Sequence, residues 1–454
     1  MSLTSLSFIG VYFPLLLIVY YNPFFKSDTF RKVILLLASL GLYTFCEPVY
    51  AILLLVIIVI NYSLVRISDK TSSNSFRALA IVIDAGTLLF FKFINKILEL
   101  AVNGEFSRIA FPIGLSYFMF KAISYVVDSK KQKGGKLIDV AIYISNFLTI
   151  VSGPLSTYED ELPMIQKRTN VTSQNVYRAV ERISIGFAKK MIIADSLSVL
   201  VKQAVAASEL SCVMAWAGAV AYILQLFFDF SGYTDIVIGV GTLFGFSLPE
   251  NFNYPYMASS VSDLWRRWHI SMTKWFTKYI YIPLGGSRVN SVARHIFNLF
   301  VVWIVTGVWH GSGMTYIIWA MIFFVLQVLE KYAKIDKFIN RFHLGHVYTM
   351  LSVIIGWNIF RSESVQDAAR YVKTMFMLNG NLFLSSNDLQ SIVPFIIPLL
   401  LGIIFSVDVG SKLKALVSKY RLYAAYNTVL FVVYVVCIVI TISKGYTSPL
   451  YAGF

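Results

Sequence analysis

Charge is scarce in this chain. Only 14% of its 454 residues are Asp, Glu, Lys or Arg, and 57% are apolar. A soluble domain carries about a quarter charged residues, so a water-solvated globular enzyme is excluded. Acidic residues are the scarcer sign, 24 against 39 basic, for a formal net charge of +15. The basic residues sit mainly between apolar runs, where the positive-inside rule puts them. Membrane topology therefore accounts for the excess, and nucleic acid is not expected as a partner. Cysteine is nearly absent. Cys46, Cys212 and Cys437 stand far apart, in or beside apolar segments. That spacing excludes a cysteine metal site and leaves them as small buried hydrophobes.

Long apolar runs are what the chain has instead, such as VYAILLLVIIVINYSLV (49–65), AWAGAVAYILQLFF (215–228) and NTVLFVVYVVCIVITI (427–442). Each approaches the roughly 20 residues that cross a hydrocarbon core. The fold class is therefore an all-α polytopic membrane protein in contact with membrane lipid. Candidate spans are about 5–25, 33–46, 49–66, 78–95, 110–128, 138–153, 180–201, 212–230, 233–248, 293–309, 314–331, 346–361, 391–407 and 422–443. Several are short or carry charge, which leaves about 11–14 membrane helices once re-entrant and interfacial ones are included. The run FIGVYFPLLLIVYY (8–21) lacks a basic n-region and an A-x-A-like site after it. It is expected to be a retained first span. No soluble domain is visible, and the longest polar connection lies around 154–180. The expectation is one integral-membrane domain over 1–454, with a motif-bearing core at about 111–331 and C-terminal helices over 346–454.

Alternate loops are basic in the first third of the chain. Lys26, Arg31 and Lys32 mark one, Arg66, Lys70 and Arg77 the next, and Lys130, Lys131, Lys133 and Lys136 the third. The Glu47-Pro48 turn and the Glu99–Glu105 region between them are not basic. The basic loops should be cytoplasmic and the N-terminus outside. Lys189 and Lys190 interrupt ISIGFAKKMIIAD (183–195), so that segment is expected to be re-entrant or buried in the bundle.

Ionisable groups inside apolar segments are costly, which makes them functional candidates. Asp229 and Asp235 stand in LQLFFDFSGYTDIVIGVG (224–241) with Ser231, Tyr233 and Thr234. They read as a structural polar knot tied to hydroxyls and arginines, ahead of a catalytic role. GVGTLFG lacks dinucleotide-motif spacing, so its glycines are expected to permit close helix packing. The second place is SDLWRRWHISMTKWFTKYIYIPLGG (262–286). On a continuous helix Trp265 and His269 share a face, beside Trp268, and Lys274 and Lys278 repeat the i,i+4 spacing. An interfacial helix with aromatic and cationic anchors fits this composition. Arg266 and Arg267 add a fork of donors suited to phosphate. Pro283-Leu284-Gly285-Gly286 should end the segment. The third place is VVWIVTGVWHGSGMTYIIW (301–319), with His310 deep in an apolar run between Trp309 and Gly311. An imidazole there suits proton transfer near neutral pH. His295, His343 and His346 fall in or near polar connections and carry no comparable signal.

The ordered series of motifs resembles the membrane-bound O-acyltransferase (MBOAT) family, in its bacterial alginate O-acetyltransferase-like branch. FPIGLSYFMFKAISYVVD (111–128), VSGPLSTYEDELP (151–163) and GFAKKMIIAD (186–195) are similar to its N-terminal half. DFSGYTDIVIGVG (229–241), ENFNYPYMASSVSDLWRRWHISMTKWFTKYIYIPLGGSR (250–288) and VTGVWHGSG (305–313) follow in the expected order. Leu264 stands where phenylalanine is expected, an apolar-for-apolar change. YIPLGG favours the acetyl-transferring branch over the D-alanyl-transferring one. The resemblance implies helices ringed around a thin central region with funnels to both sides, and catalytic histidines at His310 and His269. His310 would be the general base and His269 would orient the donor or assist proton movement.

Trp265, Arg266, Arg267, Trp268 and Trp309 are donor- or substrate-binding candidates; Asp229, Ser231, Tyr233 and Asp235 are polar supports. The donor would be a cytoplasmic thioester, acetyl-CoA, with no tightly bound cofactor and no metal. The acceptor would be an exported or cell-envelope polysaccharide such as alginate-like polymers, cellulose or peptidoglycan. Partners would be an SGNH-type periplasmic or extracytoplasmic acetyltransferase and polysaccharide biosynthesis and export proteins, at the bacterial cytoplasmic (inner) membrane. Acylation of a protein or lipid is the alternative within enzymes. A transporter with a His/Asp proton relay would move substrate without acyl transfer, and the lack of visible internal repeats counts against it. A non-catalytic scaffold would tolerate loss of His310.

Overall fold

A computed structural model describes the chain except residues 1, 2, 4, 25, 26, 102–106, 133, 134, 168, 208, 445–449 and 451–454. Lys26, Glu105 and Lys133 of the orientation pattern lie outside the described residues. The rest is helix, turn and loop, with no strand among the described residues. Eight helices are long and apolar enough to cross a membrane, which makes this an all-α polytopic membrane protein. Their outer faces are apolar, as lipid requires: on Pro48–Thr71, Ile52, Val56 and Val59 are exposed, whereas Leu54, Ile57 and Ile58 are buried.

Several expected spans take other forms. The first is a shorter helix over Phe8–Tyr20. Runs 212–230 and 233–248 merge into one helix, Cys212–Leu243, of 32 residues. The polar stretch between those runs does not break the helix, because its carboxylates find cations. Runs 110–128 and 138–153 become the short helices Leu115–Asp128 and Leu137–Ser145. These bury polar groups that only protein neighbours can satisfy.

The residues form two compact units. The first comprises the described residues of 1–183 and 236–249. Ser27 caps Asp28–Cys46 by accepting from the Thr29 N–H, and Pro48 opens Pro48–Thr71 at a position that needs no donor. Between Pro48–Thr71 and Ser75–Ala101, Asn61 donates to Asp84 at 2.8 Å. Deeper in the same unit Lys121 pairs with Glu161 at 3.1 Å, both side chains fully buried. Thr149 accepts from Lys121 and Asn146 donates to Glu161. Gly114 has φ 75°, and a Cβ there would run into the Ile150 carbonyl. Gly239 and Gly241 meet Ile183 and Leu248 so closely that a Cβ would lie within 3 Å of either, which is the close packing expected of GVGTLFG.

The second unit comprises 184–235 and 250–450. It holds the hairpin of Val292–His310 and Met314–Ala333, the helix Gly345–Arg361, and the lipid-exposed helices Asp388–Phe405 and Tyr423–Ser443. The segment with Lys189 and Lys190 is a π-helical stretch, Ala188–Ala194, with Lys190 buried. Lys190 Nζ reaches Asp229 at 2.6 Å and Asp195 at 2.7 Å, and Lys189 reaches Asp235 at 2.6 Å. The partners of the two intramembrane aspartates are thus lysines and not the expected arginines. The run of adjacent lysines one helical stretch away meets both carboxylates at once. Thr234 donates to the Ser231 carbonyl, and Tyr233 is fully buried beside them.

Candidate active site

The candidate site lies wholly within the second unit. Ser291 caps the helix Val292–His310, which ends at His310; Gly311-Ser312-Gly313 then turns the chain into Met314–Val328. The glycines follow from packing. A Cβ on Gly311 would lie 2.6 Å from the Tyr316 ring, and one on Gly307 3.0 Å from Ala320. With them absent, the two arms close and Tyr316 stacks on His310 at 6.2 Å. Trp319 and Phe360 stand edge-on to the imidazole at 5.2 and 4.9 Å, and Trp309 lies 4.3 Å away. His310 is 5% exposed. The result is an imidazole in an aromatic cage.

His269 is placed by a break that the sequence pattern does not show. Helix Val261–Arg267 stops, Trp268 is extended, and His269 takes φ 46°, ψ 51° before Ile270–Phe276 begins. The continuous helix expected from 262 onward is therefore corrected, and Trp265 and His269 do not share its face. The cause is the strand-like segment around Asn251. Its backbone accepts from Ile270 N–H, and Asn253 N–H donates to the Arg267 carbonyl, prising the helix open between them.

Asn251 also fixes the His269 tautomer. Its Oδ1 takes the Ser271 N–H at 3.2 Å and the Ser271 hydroxyl at 2.8 Å, and lies 3.0 Å from His269 Nδ1. A backbone N–H can only donate, so the amide oxygen faces this group and Nδ1 must carry the proton. Nε2 is then the basic nitrogen. Burial pushes the imidazole down to about 3, so His269 is neutral at physiological pH. Phe230 stands edge-on at 4.8 Å, and Trp309 lies 6.3 Å from His269. Trp309 thus touches both histidine rings.

The other predicted residues divide. Trp265 packs among Trp303, Trp319 and Phe323, each ring 5.0–5.6 Å away. Trp268 is 1% exposed, against Phe252 and Trp357. These tryptophans build the wall behind His310. Arg266 is exposed, and Arg267 is held by Asp263 at 2.8 Å. The turn at 282–287 closes the segment as expected, with Gly285 and Gly286 at positive φ.

Sequence reasoning passed over Asn251, Tyr316, Trp319, Phe360 and Glu330. The buried Glu330 accepts the Val261 and Ser262 N–H groups at 2.6 and 2.8 Å, capping the Trp265-bearing helix from a distant part of the chain. The one signal was a lone glutamate at the end of an apolar run. His295 was likewise set aside. It is buried between the hydroxyls of Tyr281 and Tyr332, each at 2.6 Å, and ties the YIPLGG segment to the hairpin.

The His269 burial has a measurable consequence. The unfolded imidazole titrates near 6.5 and the folded one at about 3. Between those values the unfolded chain binds more protons, so stability falls as pH falls through that window. The stability of the purified protein against thermal unfolding should fall from pH 7 to 5, by up to about 1.4 kcal/mol per pH unit from this group. The slope should be shallower in His269→Gln. An equal slope in both proteins would contradict the buried, neutral placement.

The match to known proteins follows the same geometry. Residues 84–361 match the model of MBOAT, the membrane-bound O-acyltransferase family. A protein of Pseudomonas aeruginosa named "Probable alginate O-acetylase AlgI" is 34% identical over 83% of this chain and 75% of its own length. The peptidoglycan O-acetyltransferase of Helicobacter pylori is 30% identical over 82% and 79%. The teichoic acid D-alanyltransferase of Bacillus subtilis is 29% identical over 55% of this chain and 69% of its own. The chain belongs to the membrane-bound O-acyltransferase family and is an O-acyltransferase.

Proposed function

We propose that this protein takes an acetyl group from a cytoplasmic thioester, acetyl-CoA, and passes it across the membrane for O-acetylation of a polysaccharide. The carrying observation is the placement of His310. It is an imidazole at the tip of a glycine-bearing hairpin, caged by aromatic rings, inside the family-matched region. The names of the relatives, an alginate O-acetylase and a peptidoglycan O-acetyltransferase, support a glycan of the cell envelope as the final acceptor.

In this reading His310 takes the proton of the attacking hydroxyl as its oxygen bonds to the thioester carbonyl carbon. The carbon–sulfur bond breaks, and the proton passes to the departing thiolate, giving free thiol and an ester. The thioester is already activated, so positioning and one proton transfer carry the step. His269, with Nδ1 held by Asn251, keeps Nε2 as its basic nitrogen, and its ring and that of His310 both lie against Trp309. Arg266, exposed on the basic segment, meets the phosphates of the donor. An extracytoplasmic transferase of the SGNH type completes delivery to the polymer, in the bacterial inner membrane.

The test is transfer of labelled acetyl from acetyl-CoA, by the protein in vesicles supplied with an extracytoplasmic partner and glycan. Label should appear as an alkali-labile ester on the far side of the membrane. Label that never leaves acetyl-CoA, with transfer from another thioester instead, would overturn the donor assignment.

A further inference from the structure

We propose that the helix Val409–Lys419, with the basic turn over 334–344, binds anionic phospholipid headgroups of the cytoplasmic leaflet and thereby steadies the segment that sets His269. Both elements belong to the second unit. Charge in the C-terminal part of the chain is one-sided. From 389 to 443 the only acidic residue is Asp408, against Lys412, Lys414, Lys419 and Arg421. Asp408 caps the helix, its side chain accepting from the Ser411 N–H. The positive-inside rule puts this stretch in the cytoplasm, together with Lys334, Lys337 and Arg341.

The helix joins two spans, Asp388–Phe405 and Tyr423–Ser443, through residues 406–408 and 420–422. Linkers that short reach about 14 Å at full extension, so this 11-residue helix, about 16 Å long, stays at the bilayer surface. Its side chains fit that plane. Val409, Leu413, Leu416 and Tyr420 follow i, i+4, i+7 and i+11, one stripe of the helix. Leu413, Leu416 and Tyr420 are exposed, while Val417, on the adjoining face, is buried against the protein. Lys412 and Lys419 flank the stripe on one side and Lys414 on the other, and Ser411, Ala415 and Ser418 occupy the opposite face. Such a helix lies in the interface, its apolar stripe in the acyl boundary and its ammonium groups at phosphate level. The flanking lysines fit an anionic headgroup better than a zwitterionic one. A soluble protein is the poorer occupant, because both ends of the stripe are tethered to the bilayer.

The turn over 334–344 has the same character. It joins Met314–Ala333 to Gly345–Arg361 and carries Lys334, Lys337 and Arg341 against one acid, Asp336. Phe338 and Phe342 are exposed, their rings 5.5 Å apart. Both elements hold the chain between Asn251 and Val261. On one side the Tyr254 hydroxyl donates to Asp408, and Gly410 packs on it, 3.7 Å from where a Cβ would stand. On the other, Asn340 donates to the Ser259 carbonyl at 3.2 Å, and a Cβ on Gly345 would lie 2.6 Å from that oxygen. The segment so held begins at Asn251, which fixes His269, and ends at Ser260, the cap of the helix bearing Arg266. Headgroups that fix the two basic elements therefore restrain this segment near both of its ends.

The test needs no acetyl donor. The delipidated full-length protein is offered phosphatidylglycerol and phosphatidylcholine in competition, and the retained lipid is read by native mass spectrometry. Phosphatidylglycerol should be preferred, and Lys412→Gln/Lys414→Gln/Lys419→Gln should weaken its binding by roughly tenfold or more. The matching triple arginine variant should bind as wild type does, which separates lost charge from lost fold. In phosphatidylcholine nanodiscs, adding phosphatidylglycerol should slow amide hydrogen exchange over 252–260 in wild type and not in the glutamine variant. Leu416→Cys should resist a water-soluble maleimide there, while Ala415→Cys on the opposite face reacts. The binding surface is overturned if the two lipids are retained equally, or if the glutamine variant binds within twofold of wild type. Equal labelling of the two cysteine variants would put the stripe in water, as a soluble partner requires, and also overturns it. Lipid binding that leaves exchange over 252–260 unchanged overturns the link to His269.

Discussion

Replacing His310 with glutamine should lower acetyl transfer by about 10²–10⁴-fold, the usual contribution of a positioned general base. The reasoning is local. The imidazole is held by ring contacts with Trp309, Tyr316, Trp319 and Phe360, and glutamine keeps much of its volume among them. The hairpin closes through Gly307 and Gly311, which the substitution leaves alone. The loss should therefore appear in kcat, with KM for acetyl-CoA little changed, as expected when an interaction made in the transition state is removed. Transfer of labelled acetyl in vesicles, alongside a thermal melt of the same preparation, separates chemistry from folding. A folded variant with wild-type kcat would remove His310 from the proton transfer and leave His269 Nε2 as the base.

His269 should respond differently, because its tautomer depends on a neighbour. Asn251→Ala removes the acceptor of the Nδ1 proton without touching the ring. If His269 orients the donor, this change lowers activity by a smaller factor and alters the pH profile. Asn251→Asp should retain more activity than alanine, since a carboxylate still accepts that proton. A purely structural asparagine would give parallel losses in stability and activity with an unchanged profile.

Much of this site was legible in the sequence because its residues are expensive where they stand. A histidine between tryptophan and glycine in an apolar run has few explanations, and His310 is where the cage forms. The helical class was legible for the same reason, as apolar runs of span length. What the sequence hid were the interactions at long separation. Periodicity alone continues a helix through Trp268 and His269, and only pairing with Asn251, 18 residues earlier, shows why it breaks. Phe360 reaches His310 across 50 residues, and Glu330 caps a helix 69 residues upstream. The adjacent lysines were visible as an interruption at 189–190, but their partners were not. A cation and a carboxylate in two apolar runs pair only once packing sets which faces meet.

That pairing should dominate stability in the second unit. Lys190 and Asp229 are each 2% exposed at the side chain, 2.6 Å apart, and the Leu450 N–H adds a bond to the other carboxylate oxygen. Gly232 lets this contact form, since a Cβ there would lie 2.7 Å from the Gly186 carbonyl. Lys190→Met leaves a buried carboxylate without its cation, a change that costs about 3–5 kcal/mol in comparable buried pairs. The variant should give little monodisperse protein and a much lower melting temperature. Lys189 and Asp235 are 25% and 13% exposed, so Lys189→Met should cost far less. The double variant Lys190→Met/Asp229→Leu should recover most of the lost stability, because removing both charges leaves no orphan. Asp195, the second partner of Lys190, is 22% exposed and keeps access to solvent. Activity then decides what the pair is for. A folded and active double variant makes Asp229 a structural support; a folded but inactive one gives its carboxylate a part in the reaction. A double-variant loss equal to the sum of the losses in Lys190→Met and Asp229→Leu alone would show that the pair does not act as a unit.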